Sequence, residues 1–343
     1  MVDMEPAFSD LSCSPDALDE YALYSLVRRE TRDADEQAAC LRDWDQTYEQ
    51  LSPGQFEGRF MEVWFRCIQL FRETVNQSVY EKGLMRAGER AFGVPVAMKG
   101  QGYFCGRPIL PDAIMTIHDG GELDFHAPEH FDLVALSVPT DVLTRYASEI
   151  EHRDVEKELQ GVAVIQGDKA AVDAFRGFLV TVLESVSRTP SMLQYPAMQK
   201  GLEQALLSSV MKAVGRADDA RPAASPTTRH AIVSRAQDYM REHVEDPLTV
   251  EDLCRFLKVS RRTLQYSFQE VLQLNPVSYL RAMRLNGVHR ALKSADPQRN
   301  SVQDIAARWG FWHLSHFAND YRRMFGVLPS ETLRRTAHSA RLT

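Results

Sequence analysis

The chain has 343 residues, 44% of them hydrophobic and 25% charged, a composition and length that suit two globular domains and exclude a mainly disordered, collagen-like or disulfide-dense chain. Its net charge of −7 conceals an asymmetry: residues 229–343 hold 18 Lys+Arg against 11 Asp+Glu (+7), and residues 1–228 hold 22 against 36 (−14). A basic tail behind an acidic front is the charge pattern of a nucleic-acid module joined to another domain.

In chain order, residues 1–50 are polar and acidic, and short helical patches are expected around Ala17–Arg28 and Asp35–Tyr48. From Phe60 the texture changes. Phe60–Phe71, Val94–Lys99, Ala113–His118 and Phe131–Val138 are short runs rich in β-branched and aromatic residues, punctuated by PGQFEG, GQGYFCGRP and HDGGELD. They predict a small β-rich domain, barrel-like or cupin-like. After Val138 the period becomes helical. Thr140 is placed to cap a helix through Asp141–Ile150, and longer helices are expected at Ala170–Ser187 and Pro196–Val214. In the last of these Leu202, Ala205, Leu206, Ser209, Val210 and Ala213 share one face, which suits either a dimer seam or packing on the domain's own sheet. Residues 215–229 lack an apolar period and read as a linker between an effector-sensing and dimerising front, 1–214, and a helical tail, 230–338.

Several features of the front invite chemistry. His118, Asp119, Glu122, Asp124, His126, Glu129 and His130 form its best metal-like cluster, but no His-x-His pair occurs and the Gly and Pro residues point to solvated loops. GQGYFCGRP lacks the Gly-Lys-Ser/Thr of a phosphate cradle and is explained by turn chemistry. The five cysteines (Cys13, Cys40, Cys67, Cys105 and Cys254) include no Cys-x-x-Cys pair, so neither a disulfide framework nor a zinc ribbon is indicated. Cys105, beside Arg107, is the better redox candidate, with structural filler the plainer reading; Cys254 reads as a small core residue. No signal peptide and no run of 18 apolar residues is present, so a cytoplasmic chain without a membrane partner is expected.

The tail repeats itself. Val250, Asp252, Leu253, Leu257 and Val259 match Val302, Asp304, Ile305, Trp309 and Phe311 at an offset of 52; Leu264, Phe268, Leu272, Leu274, Pro276 and Leu280 match Phe317, Tyr321, Phe325, Val327, Pro329 and Leu333 at an offset of 53. A duplicated helical unit with one extra residue in the second turn follows. Each copy, about 249–272 and 301–325, reads as helix, turn, helix, with Thr249 and Ser301 as caps and Gly310 suited to a left-handed helix end. Asn275 and Pro276 open a connecting helix to about Ser294, about 28 Å long at 1.5 Å per residue. Successive major grooves on one face of DNA lie about 34–36 Å apart, so such a rod can hold two reading heads. Arg261, Arg262, Gln265 and Gln269, and in the second copy His313, Ser315, His316 and Asn319, lie opposite the apolar faces. Arg grips guanine and Gln or Asn adenine through paired hydrogen bonds. Trp309 and Phe311 occupy apolar repeat positions and read as core; Trp312 stays open between packing and base stacking.

VSRRTLQYSF, LNPVSYLRAMRLNGVHRAL, SVQDIAARWGF and FGVLPSETLR make the tail resemble the DNA-binding domain of the AraC/XylS transcription regulators over about a hundred residues. The resemblance implies an α+β protein: a β-rich sensor with flanking helices, then an all-α double helix-turn-helix domain. It implies base-reading positions at Arg262, Gln265 and Tyr266 in the first head and at Leu314, Ser315, Ala318 and Asn319 in the second. Phosphate contacts fall at Ser260, Arg261, His313 and His316. Many relatives carry Arg where Tyr266 and Asn319 stand, so the second head is expected to contribute more shape and phosphate contact. The partners implied are promoter DNA, a small-molecule effector, RNA polymerase and a second copy of the chain. A narrower resemblance, carried by WDQTYEQLSPGQFEGRF and WGFWHLSHFANDY, is to regulators of ethanolamine-utilisation operons. It implies ethanolamine as effector with adenosylcobalamin as co-effector, and no required cofactor. The competing readings are a DNA-binding tail fused to a metal- or cysteine-dependent enzyme, and a DNA-binding scaffold without a ligand.

Overall fold

The computed structural model describes residues 24–42, 44–118, 120–215 and 228–339, with side chains to 334. In chain order the front contains β1 (Tyr24–Thr31), α1 (Ala34–Ala38), β2 (Asp45–Gln50), β3 (Gly58–Phe65), β4 (Ile68–Val75), β5 (Val79–Leu84), β6 (Glu89–Ala97), β7 (Gly102–Phe104), β8 (Arg107–Ile109), β9 (Ala113–His118), β10 (Glu122–Ala127) and β11 (Phe131–Pro139). It continues with α2 (Thr140–Glu149), α3 (Val155–Glu158), β12 (Val164–Gln166), α4 (Lys169–Arg188) and α5 (Pro196–Val214). The tail contains α6 (Thr228–Glu242), α7 (Val250–Leu257), α8 (Arg261–Leu272), α9 (Pro276–Ser294), α10 (Val302–Arg308), α11 (Leu314–Phe325) and α12 (Pro329–Ser339).

Two antiparallel sheets build the front, a seven-stranded one in the order β1-β3-β4-β11-β6-β9-β12 and a five-stranded one in the order β2-β5-β10-β7-β8. The larger sheet is buried on both faces. Along β11, Val134, Leu136 and Val138 join a core with Leu143, Phe175, Leu179, Leu206 and Val210 of the helices. Ala135 points the other way, beside Phe60 and Phe71, and Phe131 beside Phe125 and Phe104 of the smaller sheet. Burial on both faces explains why these strands read as continuous apolar runs.

Several expectations need correction. Residues 1–23 lie outside the described residues, as does most of the patch at Ala17–Arg28, and its end is strand β1. Of Asp35–Tyr48 only the start is helical, in α1; the end belongs to β2, where Tyr48 and Glu49 are both buried. A polar residue that hides its charge on a second domain breaks the alternation by which a strand is recognised. Phe60–Phe71 is a hairpin, with Arg66 at φ 52 in its turn. Pro139, not Thr140, holds the cap position of α2, without a side-chain bond. Leu206, Val210 and Ala213 of α5 are buried in the chain's own core, which removes the larger part of that face as a dimer seam. Helix α6 begins at Thr228, inside the stretch 215–229; residues 216–227 lie outside the described residues.

Candidate DNA-binding face and its link to the front domain

In the first helix-turn-helix, Thr249 Oγ1 accepts from the Asp252 amide while the Asp252 carboxylate accepts from the Thr249 amide, a closed capping box. Lys258 then adopts left-handed backbone at φ 55, and Ser260 Oγ accepts from the Thr263 amide at 3.1 Å to start α8. In the second, Ser301 Oγ accepts from the Asp304 amide at 3.1 Å. Gly310 repeats the left-handed turn at φ 79, and α11 begins after His313, whose side chain makes no capping bond. Helix pairs α7/α10 and α8/α11 start 52 and 53 residues apart (302 − 250; 314 − 261), so the extra residue lies in the second turn.

Leu264, Phe268 and Leu272 of α8, and Phe317, Tyr321 and Phe325 of α11, are buried. The opposite faces are open: Ser260, Arg261, Arg262, Gln265 and Tyr266 are exposed, as are His313, Leu314, Ser315, His316 and Asn319, while Ala318 is half-buried. The Arg262 guanidinium lies 5.2 Å from the Tyr266 ring centroid and donates to the Tyr266 hydroxyl at 3.4 Å. This stacking fixes the Arg262 guanidinium on the exposed face of α8. The second face carries no cation at the corresponding positions, but Arg322 and Arg323 stand exposed in the last turn of α11. Trp309 is half-buried and packs against the core of the tail, whereas Trp312 is 74% exposed in the turn.

Between the heads runs α9, capped by Asn275, whose side chain accepts from the Ser278 amide at 2.9 Å, and opened by Pro276, where no amide is missed. Its buried residues Tyr279, Met283, Val288 and Leu292 share one core with both heads. At Gly287 the Trp309 ring approaches so closely that an added Cβ would lie 2.0 Å from Cζ3. The Arg281 guanidinium is 2.8 Å from the Asp320 carboxylate of α11.

The outer face of the five-stranded sheet docks on this tail. Its strands alternate: Tyr48, Glu81 and Phe125 line a cavity between the sheets, while Glu49, Tyr80, Lys82, Asp124 and His126 turn outward. Tyr279 donates its hydroxyl to Glu49 at 2.9 Å. Lys82 donates to Asp238 at 2.9 Å, and the His230 ring is 3.1 Å from Asp124. Gln50 binds two tail elements at once: its backbone exchanges bonds of 3.0 and 2.9 Å with the Asn286 amide of α9, and its side chain donates to the Met324 carbonyl of α11 at 2.7 Å. Asp33 caps α1 and receives His289 and Lys293 of α9. Burial alone would raise the Asp33 carboxyl, but hydrogen bonds and charge from His289 and Lys293 outweigh it and hold it well below the usual carboxylate range. A second cavity of about 320 Å³ opens at this junction, lined among others by Asp33, Gln50, Asn286, His289, Lys293 and Phe325.

The metal-like cluster disperses. Glu122, Asp124 and His126 belong to strand β10, not to a loop, Asp119 lies outside the described residues, and Asp124 pairs with His230. His126 is buried, bonded to Ser78 at 3.0 Å, and burial lowers its ring to about 4. Among the described residues no group of three or more His, Cys, Asp or Glu could hold a metal ion. At Cys105 burial pushes the thiol up to about 12, against the thiolate that redox chemistry needs. Among the described residues no helix is long and apolar enough to cross a membrane. Sequence reasoning missed Glu49, Gln50, Asp33 and Asn286, because polar residues paired across a domain junction carry no local periodicity.

A helix-turn-helix fold repeated on one connector, with open polar faces on α8 and α11, defines a DNA-binding transcription regulator. The family described as "Helix-turn-helix domain" matches residues 253–335. The chain is 36% identical to the probable thc operon regulatory protein of Rhodococcus erythropolis over 41% of this chain and 42% of that one. To the XylDLEGF operon transcriptional activator of Pseudomonas putida it is 24% identical, over 82% of this chain and 86% of that one. A solved structure of a probable AraC family transcriptional regulator from Rhodopseudomonas palustris CGA009 matches 31% of this chain and 97% of its own at 32% identity, with a TM-score of 0.29. Residues 253–335 are an AraC-type helix-turn-helix domain, and over most of its length the chain is similar to regulators of the AraC/XylS kind.

Proposed function

We propose that the chain is an effector-controlled activator of a catabolic operon: the tail reads promoter DNA, and a small molecule in the front domain sets how the two heads are presented. The observation that carries this reading is strand β2. Gln46 and Tyr48 line the cavity between the sheets, while Glu49 and Gln50 hold α6, α9 and α11. A ligand against Tyr48 therefore acts one residue away from the groups that fix both heads. It shifts DNA binding only if it favours the DNA-competent arrangement; a coupling of about 1–3 kcal/mol gives 5–150-fold control.

In this reading Arg262, Gln265 and Tyr266 read bases in one groove, and Leu314, Ser315, Ala318 and Asn319 face the next. Ser260, Arg261, His313 and His316 stand at the phosphates. RNA polymerase and a second copy of the chain are the protein partners, and ethanolamine is the effector that the narrower resemblance implies. Adenosylcobalamin is larger than either cavity described above.

The test is promoter binding by the full chain. Arg262→Ala and Gln265→Ala should each weaken the specific site by about 1–3 kcal/mol while leaving random DNA nearly unaffected; equal losses on both would reduce these side chains to phosphate contacts. Gln50→Ala should change the response of promoter binding to effector. An effector response identical to wild type would remove β2 from the mechanism.

A further inference from the structure

The two helix-turn-helix copies differ by one residue, and that residue can be named. Val259 and Phe311 correspond at an offset of 52 (311 − 259), whereas the cap positions Ser260 and His313 correspond at 53 (313 − 260). Trp312 is therefore the addition, set in the turn directly before the cap position of α11. It is 74% exposed, and no large apolar side chain among the described residues is more so. Turns ordinarily take Gly, Pro, Asn, Asp or Ser, and a tryptophan left in water forgoes the burial of about 150–250 Å². Phe256, also exposed in the tail, is stacked on Tyr239 at 4.2 Å and lies under the Arg235 guanidinium. Among the described residues Trp312 has no such ring or guanidinium against it.

The start of α11 continues the same chemistry. Leu314, 38% exposed, and the half-buried Ala318 stand one turn apart, and Ser315 and Asn319 form a row beside them. The open side of this head thus has an apolar edge, Trp312, Leu314 and Ala318, and a polar edge that ends in one amide. The first head is built otherwise, with Arg262 over the Tyr266 ring and Gln265 beside them. In the major groove guanine presents two acceptors, which suit Arg. An A·T pair presents an acceptor and a donor on adenine, which suit an amide, and on thymine the C5-methyl, an apolar group. The two heads are therefore matched to different base pairs.

We propose that the second head reads thymine through its methyl group, with Trp312 as the specificity-determining residue: Trp312, Leu314 and Ala318 pack on C5-methyls while Asn319 takes adenine. The proposal rests on the reading of α11 as a base-reading helix and names the base it selects. Burying a methyl against the indole removes apolar surface of both from water. Cytosine in the same place has no methyl and offers an amino donor instead. The indole N–H only donates, so that amino group loses its water without gaining an acceptor. This selection needs no cation, and the methyl's contribution is independent of salt, unlike the contacts to phosphate.

The experiment begins with the full chain selecting a duplex from random-sequence DNA, and the selected duplex is the probe. Its thymines are then replaced one at a time by uracil, which removes the methyl and nothing else. The segment protected by the second head should contain A·T pairs, and uracil at one or more of them should weaken binding about fourfold, the effect of one buried methyl-sized group. That loss should be the same at low and high salt. Trp312→Ala should weaken binding to the thymine probe about fivefold and should no longer distinguish uracil from thymine at those positions. The uracil scan on the wild-type chain tests the same claim should that variant fail to fold. No cost of uracil anywhere in the second segment, an equal cost in Trp312→Ala, or selection of G·C pairs there overturns the proposal. Arg262→Ala measured alongside separates the two levels. If uracil costs nothing while both segments stay protected and Arg262→Ala still loses the specific site, the methyl claim falls and DNA reading by two heads stands. If the second segment is unprotected and Trp312→Ala binds as wild type does, the reading of α11 falls with it.

Discussion

In the middle of a helix glycine costs about 1 kcal/mol relative to alanine, so Gly287→Ala would stabilise α9 if nothing else met that position. The new Cβ, however, would lie 2.0, 2.1 and 2.5 Å from Cζ3, Cη2 and Cε3 of Trp309, against about 3.5–4.0 Å for carbon atoms in contact. The ring has to retreat by about 1.5 Å. A side-chain twist large enough to relieve the contact takes the ring off Gly287 and uncovers that part of the connector. Overpacking of this kind costs about 1–3 kcal/mol, and exposing part of a large aromatic costs a similar amount. The clash therefore outweighs the gain in helix propensity, and a net loss of about 1–2 kcal/mol is expected. Urea unfolding of the full chain measures it. Footprinting should show protection by the second head weakened and that by the first retained. A variant as stable as wild type or more stable, with both heads still protecting DNA, would refute the packing of Trp309 on the connector.

Two further outcomes follow from the junction and the cavity. Asp33→Asn keeps a capping side chain on α1 but removes the charge that holds His289 and Lys293, so docking should weaken by about 1–3 kcal/mol and heating should separate front and tail into two transitions; one transition with an unchanged midpoint would contradict this. Glu73 is raised by burial to about 7 from 4.5, so the folded chain keeps a proton that the unfolded chain releases near 4.5. Its stabilising contribution is complete below pH 4.5 and is lost as pH rises to about 7, a loss on the order of 3 kcal/mol. In Glu73→Gln that contribution should drop out and leave the shallower slope of Glu81, which burial also raises, and an unchanged pH profile would mean that Glu73 is ionised in the fold.

The tail was readable because each of its signals is local. The caps Thr249, Ser260, Asn275 and Ser301 and the buried positions Leu264, Phe268, Phe317 and Tyr321 all follow from helix spacing. Helix α9 runs over the span that Asn275, Pro276 and Ser294 mark, and Pro196–Val214 is helical as its period requires. The front was less readable wherever a residue's environment comes from outside its own element. In β2, Tyr48 faces the carboxyls of the cavity and Glu49 the hydroxyl of Tyr279, 230 residues away. Neither position looks like half of an alternating strand. The same holds for Glu73 and Glu81: sequence reasoning places carboxylates in solvent, and only the stacking of two sheets puts these two in one apolar space. The cluster around His126 failed in the opposite sense. Its density of His and Asp suggested chemistry, whereas β10 sends Asp124 and His126 outward to the tail and Phe125 inward.

The central claim is that one subunit carries two DNA-reading heads fixed on α9. Hydroxyl-radical footprinting of the full chain on its promoter at moderate salt tests it most directly. The predicted result is two protected segments about one helical turn apart on the same face of the duplex, with the segment assigned to α8 lost in Arg262→Ala. Protection of a single segment per subunit, or of two segments that respond equally to Arg262→Ala, would contradict it.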